Sequence, residues 1–488
     1  MASILCHTNI SEVASKYPPK PVTNLQLIPG KLSIALTWED QADYTEEGYT
    51  CTWDKTVVVR KTGGYPNDIH DGTVVVTIVE RDKHKTNPYI DSNLTVGTTY
   101  YYRVFTCSSD GIYGEPTGGF SVPIQYKVMT VVINLNNSNP ETCGSYADDA
   151  TTMSSGLNSA DWKTFFGYRP CIMSNGSVVA YLNENNFAVD ENGNSVNISS
   201  GSPNDVMIEF PRRGIKISKS GKVVTVSMTD APNDPDFKYY AHQRGSVNKD
   251  YFYLGAYDAS KQYNSGMYMI RSVTGMLTCS GMSISDMVEG ASLNGSGYGC
   301  IGYYQWLYVQ VMYVLQFRGN LDSQRAVGYG NSNSGDELQT GRSNTKGMNY
   351  ADNTVVKLFG LEDIWGNVYQ FVNNFAVSNS GHIMTTTDDT ITDTSKYNDV
   401  YTYGYSNETY GFASECIGNS ELGFYPIYES NHVGSTYTYF CDFYSFNKYD
   451  GLVVGCHYNG SANGGLFYFA SVNRYSGSSQ WGTRLQYL

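Results

Sequence analysis

The sequence predicts a multidomain, mainly β protein: an N-terminal β-sandwich followed by one large C-terminal α+β domain. Three observations lead there. Gly (49 residues) and Pro (15) accompany Asn and Ser throughout, the composition of many turns and short strands. Apolar and polar residues alternate over short stretches at sandwich-like intervals in the first quarter of the chain. Sustained helical periodicity is best developed in one stretch, Tyr303 to Phe317, where Trp306, Val309, Tyr313 and Leu315 to Phe317 outline an apolar face. A length of 488 residues suits roughly two to four domains.

Taken in order, residues 1–18 form a leader and 19–126 a strand-rich segment. Leu32 to Trp38 alternates as a half-buried strand should, and Val57 to Arg60, Thr73 to Ile78 and Tyr100 to Phe105 repeat the pattern. In Leu94-Thr-Val-Gly97-Thr-Thr-Tyr100 a turn glycine precedes a strand tyrosine, which fits a tyrosine corner. Residues 19–126 thus resemble a fibronectin type III module, and the resemblance implies a spacer. Residues 127–160 open with a strand-like run, Val128 to Ile133, and then turn rich in Asn, Ser, Asp and Gly, which predicts a linker or a partly ordered connection. From 161 to 488 one α+β domain is expected, with strands at Asp205 to Phe210, Gly221 to Met228 and Tyr251 to Tyr257.

Composition excludes several functions. A formal charge of −14 argues against nucleic acid, whose phosphates demand a basic footprint. The ten cysteines show no Cys-x-x-Cys pair, so zinc-ribbon and thioredoxin readings fail and small buried thiols are expected. Tyr303 to Phe317 is too short and, with Gln305, Gln310 and Gln316, too polar to span a bilayer, so no membrane insertion is expected. The first residues hold no long apolar run, which predicts synthesis in a cytosol without a classical export signal.

The most specific motif is Phe359-Gly-Leu-Glu-Asp-Ile-Trp-Gly-Asn-Val-Tyr-Gln-Phe371. Gly366 and Asn367 suit a tight turn with positive φ, after which Val368 and Phe371 plug a core. The stretch resembles the Gly-Leu-x-Asp-x-x-Gly-Asn-Val-x-Glu-Trp signature of the formylglycine-generating-enzyme-like branch of the C-type lectin fold. Gly482-Thr-Arg-Leu485 resembles that fold's closing strand. Gln370 and Phe371 stand where the signature prefers Glu and Trp, and the enzymes' close cysteine pair has only Cys441 and Cys456 as counterparts, in a different sequence context.

A second branch of the fold fits better. Leu452 to Phe467 followed by Gly482 to Leu485 resembles the variable region of diversity-generating-retroelement proteins, among them phage tropism determinants. Arg169-Pro-Cys, Asp205 to Pro211, Ala241-His-Gln-Arg and Asn344 to Gly347 also look like phage tail proteins. The resemblance implies a non-enzymatic receptor-binding protein of a phage tail, made in the bacterial cytoplasm and carried on the virion. It further implies homotrimers, other tail proteins as partners, and a bacterial surface receptor, protein or glycan.

In that family adenine-directed mutagenesis rewrites Asn AAC codons, which cannot yield Trp, Gln, Lys, Glu or Met. Within 441–488 the filter is permissive, and Tyr444, Ser445, Phe446, Asn447, Tyr449, His457, Tyr458, Asn459, Ser461, Asn463, Tyr468, Ser471, Asn473, Tyr475, Ser476, Ser478 and Ser479 all pass it. Lys448, Gln480 and Trp481 do not. Tyr supplies large amphipathic contacts at low rotamer cost, while Ser and Asn adapt their hydrogen bonds. Leu452, Val454, Leu466, Phe467 and Leu485 are expected in the core beneath.

No catalytic or metal-ligating set emerges. His457 has no second ligand at a suitable spacing and is expected as a contact residue. Glu362 and Asp363 could serve acid–base chemistry or calcium, but as neighbours they project differently, and a surface or turn role is expected. No cofactor is expected, and calcium is left without an assigned site. The rival readings are a fixed tail or baseplate component and a divergent oxidase using Cys441 and Cys456.

Overall fold

The computed structural model describes residues 17–488 apart from positions 31, 125, 158, 265, 379, 392, 403–408, 428–433, 436 and 448. Most of the expected leader, Cys6 and Lys448 therefore lie outside the described residues. Strand takes 40% of the described residues and helix 10%, so the protein is mainly β. The chain divides into two compact units, Met1–Tyr126 and Lys127–Leu488.

In the first unit, Thr23–Gly30, Ser33–Glu39 and Tyr89–Asp91 form one sheet, and Thr73–Ile78, Trp53–Thr62, Tyr100–Ser108 and Thr117–Ser121 a second. Period-2 alternation turns Ile34, Leu36 and Trp38 inward, where they share a core with Val58, Tyr102 and Val104 of the other sheet. Gly97 takes a φ of 76° in the turn before Tyr100. The Thr95 backbone N–H donates to the Tyr100 hydroxyl at 3.1 Å, which ties that turn to the strand it feeds.

The second unit begins earlier than the sequence suggests. The expected linker over 127–160 is not one: Val128–Asn134 and Gly144–Asp148 pair with each other, and Val128–Asn134 pairs with Val223–Thr229 as well. The apolar run at 128–133 outweighs the polar stretch after it, because Met129, Val131 and Ile133 bury fully. A short helix over Ala160–Phe166, unforeseen from the sequence, buries Trp162, Phe165 and Phe166 and ends on left-handed Gly167.

The helix Tyr303–Gln316 is present as expected but differs in its burial. All fourteen of its residues are buried, not one face alone. Its glutamines are tolerated there because each donates to a backbone carbonyl of another segment: Gln305 to Ala241, Gln310 to Leu466 and Gln316 to Gly156. No helix among the described residues is long and apolar enough to cross a membrane.

Two sheets position the C-terminal region. The seven-stranded sheet runs in the order Asn186–Asp190, Ser177–Asn183, Arg169–Ser174, Asp205–Pro211, Tyr251–Gly255, Leu485–Tyr487, Tyr298–Cys300. The six-stranded sheet runs Thr409–Phe412, Phe443–Phe446, Phe469–Val472, Gly451–Val454, Tyr369–Val372, Trp481–Gly482.

Candidate binding surface

The motif at 359–371 builds the turn that its residues imply. Gly366 and Asn367 both take positive φ, 83° and 65°, and Val368 and Phe371 are fully buried behind them. The Asn367 side chain holds the neighbouring loop: its amide oxygen accepts from Asn331 and from the Leu338 N–H, and its amide nitrogen donates to the Leu338 carbonyl. The strand that follows, Tyr369–Val372, pairs in parallel with Trp481–Gly482. The two sequence motifs are thus neighbours in one sheet.

Arg484 joins them at the core. Its fully buried guanidinium ion-pairs with Asp258 at 3.0 Å and donates to Gln370 at 3.2 Å, to the Gly255 carbonyl at 2.8 Å and to the Glu362 carbonyl at 2.7 Å. Burial pushes the Asp258 carboxyl well above the usual carboxylate range, although Arg484 pulls it down. Glu362 and Asp363 are buried as well, which corrects their expected surface role. Glu362 accepts from the Gly341 and Ser343 N–H groups, and Asp363 accepts from Arg342 at 2.9 and 2.7 Å. Among the described residues no group of three or more His, Cys, Asp or Glu side chains could share a metal ion.

Strand direction sorts the candidate contact residues into two sets. Phe443–Phe446 and Phe469–Val472 run parallel, and Gly451–Val454 runs against both. At the end where the parallel pair finishes, Asn447, Tyr449, Asn473, Tyr475 and Ser476 emerge on adjoining loops. An ion pair between Asp450 and Arg474 at 3.2 Å joins those loops. Asn447 is further held by a 2.5 Å bond from its N–H to the Ser471 hydroxyl. Tyr475 is 77% exposed and Tyr449 45%.

At the opposite end, Tyr458, Asn459, Ser461 and Asn463 lie on the loop that follows Gly451–Val454. Its backbone is fastened by the Tyr458 N–H to the Asn367 carbonyl, the Ser334 N–H to the Tyr458 carbonyl and the Ser461 N–H to the Ser332 carbonyl. Asn459, Ser461 and Asn463 are exposed. Ser478 and the exposed Ser479 belong to the segment that returns to this end before Trp481. The candidate residues therefore form two surfaces rather than one.

No protein-family model matches the chain, and no curated protein does.

Five candidates are not available for contact. Phe446 is fully buried between Tyr425 and Tyr444, and Tyr444 itself is buried beside it. Ser471 is buried because its hydroxyl braces Asn447. Tyr468 stacks on Tyr369 with ring centroids 5.0 Å apart, and His457 lies 4.6 Å from the same ring. Burial lowers the His457 pKa, which disfavours the charged form of the ring. The codon filter admits residues by type and carries no information on which way a strand side chain points. Ser445 stays half-buried between these extremes. Leu452, Val454, Leu466, Phe467 and Leu485 are in the core as expected.

Exposed aromatic residues also lie outside the stretch singled out. Tyr410, 71% exposed, sits on the edge strand beside Ser445, and Tyr437, 64% exposed, lies under the Arg325 guanidinium. The Tyr, Ser and Asn enrichment that marks 441–488 already begins near Tyr401, and that signal would have found them.

The nine cysteines among the described residues are all buried and free. Burial, with Asp322 and Asp442 adding to it, drives the Cys441 pKa far up, and burial pushes the Cys456 thiol up to about 12. Neither sits in the electropositive, partly exposed setting that generates a thiolate.

Proposed function

We propose that this chain is a receptor-binding protein of a phage tail, which presents diversifiable residues on two loop surfaces, at opposite ends of one sheet, to a receptor on a bacterial cell. One observation carries the reading. The exposed candidates, Tyr449, Asn459, Ser461, Asn463, Tyr475, Ser476 and Ser479, all lie on the connections between strands, while the candidates inside strands are buried or half-buried. A surface of that kind can change its side chains without disturbing the packing beneath it. The residues are the Tyr, Ser and Asn of an adaptable paratope.

The finer fold reading belongs to the same proposal. The second unit is a C-type lectin-like domain of the formylglycine-generating-enzyme type, supported by the adjacency of the 359–371 motif and Gly482–Leu485. The first unit is a fibronectin type III-like spacer, supported by its two-sheet core and the Thr95–Tyr100 bond. The chain acts without catalysis, and the burial of Cys441 and Cys456 favours this over the oxidase alternative. Trimerisation would raise avidity through multivalency.

The test is adsorption. A variant with Tyr449, Asn459, Asn463 and Tyr475 all changed to Ala, checked for an unchanged melting temperature, is compared with the parent for attachment to host cells. Loss of attachment is expected. Undiminished attachment would leave a fixed structural tail part as the better reading.

A further inference from the structure

The first of the two loop ends opens onto a cleft of ≈ 640 Å³. The helix Ile284–Ser292 forms one wall, and Arg244, Tyr298, Asp389, Arg474 and Tyr475 contribute to the rest. The volume lies within the range of small-ligand sites. Tyr475 is the only residue of this lining that the sequence had marked for contact.

The two arginines of the cleft are already matched. Arg244 ion-pairs with Asp389 at 2.7 Å, and Arg474 with Asp450 at 3.2 Å. Glu289 adds a further carboxylate to the lining. An anionic ligand would have to break one of these pairs, which the geometry does not favour. The polar groups that remain include hydroxyls, an amide and carboxylate oxygens, from Ser285, Ser292, Thr390, Asn373 and Glu289 among others.

Asp389 supplies a second observation. Its side chain is only 4% exposed, and its Oδ1 is taken by Arg244. Its Oδ2 is buried and has no hydrogen-bond partner among the described residues. That oxygen lies 3.8 Å from where a side chain on Gly299, another lining residue, would begin. A buried acceptor without a donor is costly, so the position suits a ligand that brings a hydroxyl. Elsewhere on the lining, the exposed Tyr475 ring offers an apolar plate with a polar tip.

We infer that this cleft binds a short neutral oligosaccharide, with Tyr475 stacked on a sugar face and the Asp389–Arg244 pair bonded to sugar hydroxyls. The inference rests on the receptor-binding reading and narrows its ligand at this end of the sheet to a glycan.

The full chain is titrated by calorimetry with maltotriose, cellotriose, mannotriose and chitotriose, and with sialic acid and inorganic phosphate as anionic comparators. At least one neutral trisaccharide is expected to bind saturably. Tyr475→Ala, which removes the plate, and Ser292→Trp, which fills the cleft from an exposed position, should each weaken it about tenfold or more. Melting temperatures of both variants establish that the fold is intact. Absence of saturable binding by any neutral sugar at millimolar concentration overturns the inference, as does preference for either anion or indifference to Ser292→Trp. Sugar binding without cell adsorption would instead remove the tail-adsorption reading and keep the glycan site. Adsorption that depends on Tyr475 without sugar binding would do the reverse, and would point to a protein receptor.

Discussion

Arg484 reaches Gln370 through a 3.2 Å hydrogen bond inside the core, so a residue near the end of the chain completes the turn built by the 359–371 motif. Arg484→Met removes that bond and leaves Asp258 buried without its cation. Truncating one partner of a buried pair costs about 3–5 kcal/mol, and urea unfolding of the variant should register a loss of that size. A change within about 0.5 kcal/mol would mean that the pair adds nothing to the fold.

Lys357 gives the stability of the second unit a characteristic pH dependence. It is buried, donates to the Ser343 carbonyl at 3.1 Å and lies 3.7 Å from the centre of the Phe187 ring. Burial lowers its pKa from 10.5 to about 7. The unfolded chain therefore binds the extra proton between those values, and stability from this group is present above 10.5 and lost as pH falls toward 7. Lys357→Met abolishes that slope. The stability of the parent relative to the variant should rise from pH 7 to pH 10 by up to about 1.4 kcal/mol per pH unit. A difference that stays flat across the window would show that the ammonium is not desolvated.

Phe446 and Tyr475 passed the same codon filter and should behave oppositely. Phe446→Ala empties a fully buried site and is expected to cost about 3–5 kcal/mol in chemical unfolding. Tyr475→Ala removes an exposed ring and should shift stability by no more than about 0.5 kcal/mol while reducing adsorption. Equal stability losses would place Tyr475 in the scaffold.

Sequencing the 3′ end of the gene across sibling copies reads the same division. Substitutions should gather at Tyr449, Asn459, Ser461, Asn463, Tyr475, Ser476 and Ser479, and be missing from Phe446, Tyr468, Leu452 and Arg484. Uniformly low variation over 441–488 would remove the diversification argument.

In the first unit, Tyr100→Phe deletes the acceptor for the Thr95 N–H and keeps the ring. A loss of about 0.5–1.5 kcal/mol is expected in thermal or urea unfolding. No loss would show that water replaces the hydroxyl there.

Local chemistry made the sandwich strands and the 359–371 turn legible. Period-2 alternation around Trp38 and the paired Gly366 and Asn367 are signals confined to a few residues. In 127–160 the strand-like run at Val128–Ile133 was legible, but the polar half dominates a composition window and hid that Met129, Val131 and Ile133 bury through partners that arrive ninety and more positions later, at Val223–Thr229. The helix at 303–316 was visible, but its full burial was not, since the carbonyls that satisfy its glutamines belong to distant segments. The candidate surface was legible by residue type alone. Which of Tyr444, Ser445 and Phe446 faces water depends on register, and register is set by neighbouring strands. The cleft left still less trace, because Arg244, Asp389 and Tyr475 meet only after folding.

The strand Leu485–Tyr487 lies inside the seven-stranded sheet, paired on both sides with Tyr251–Gly255 and Tyr298–Cys300. Synthesis order gives this placement a consequence. A ribosome releases both flanking strands long before the segment that must fit between them, and until then each presents a bare edge. A polypeptide interrupted anywhere in the exposed loops upstream never receives that segment. Leu485–Tyr487 thus closes the sheet, and a copy cut short before it leaves the facing edges of two strands open.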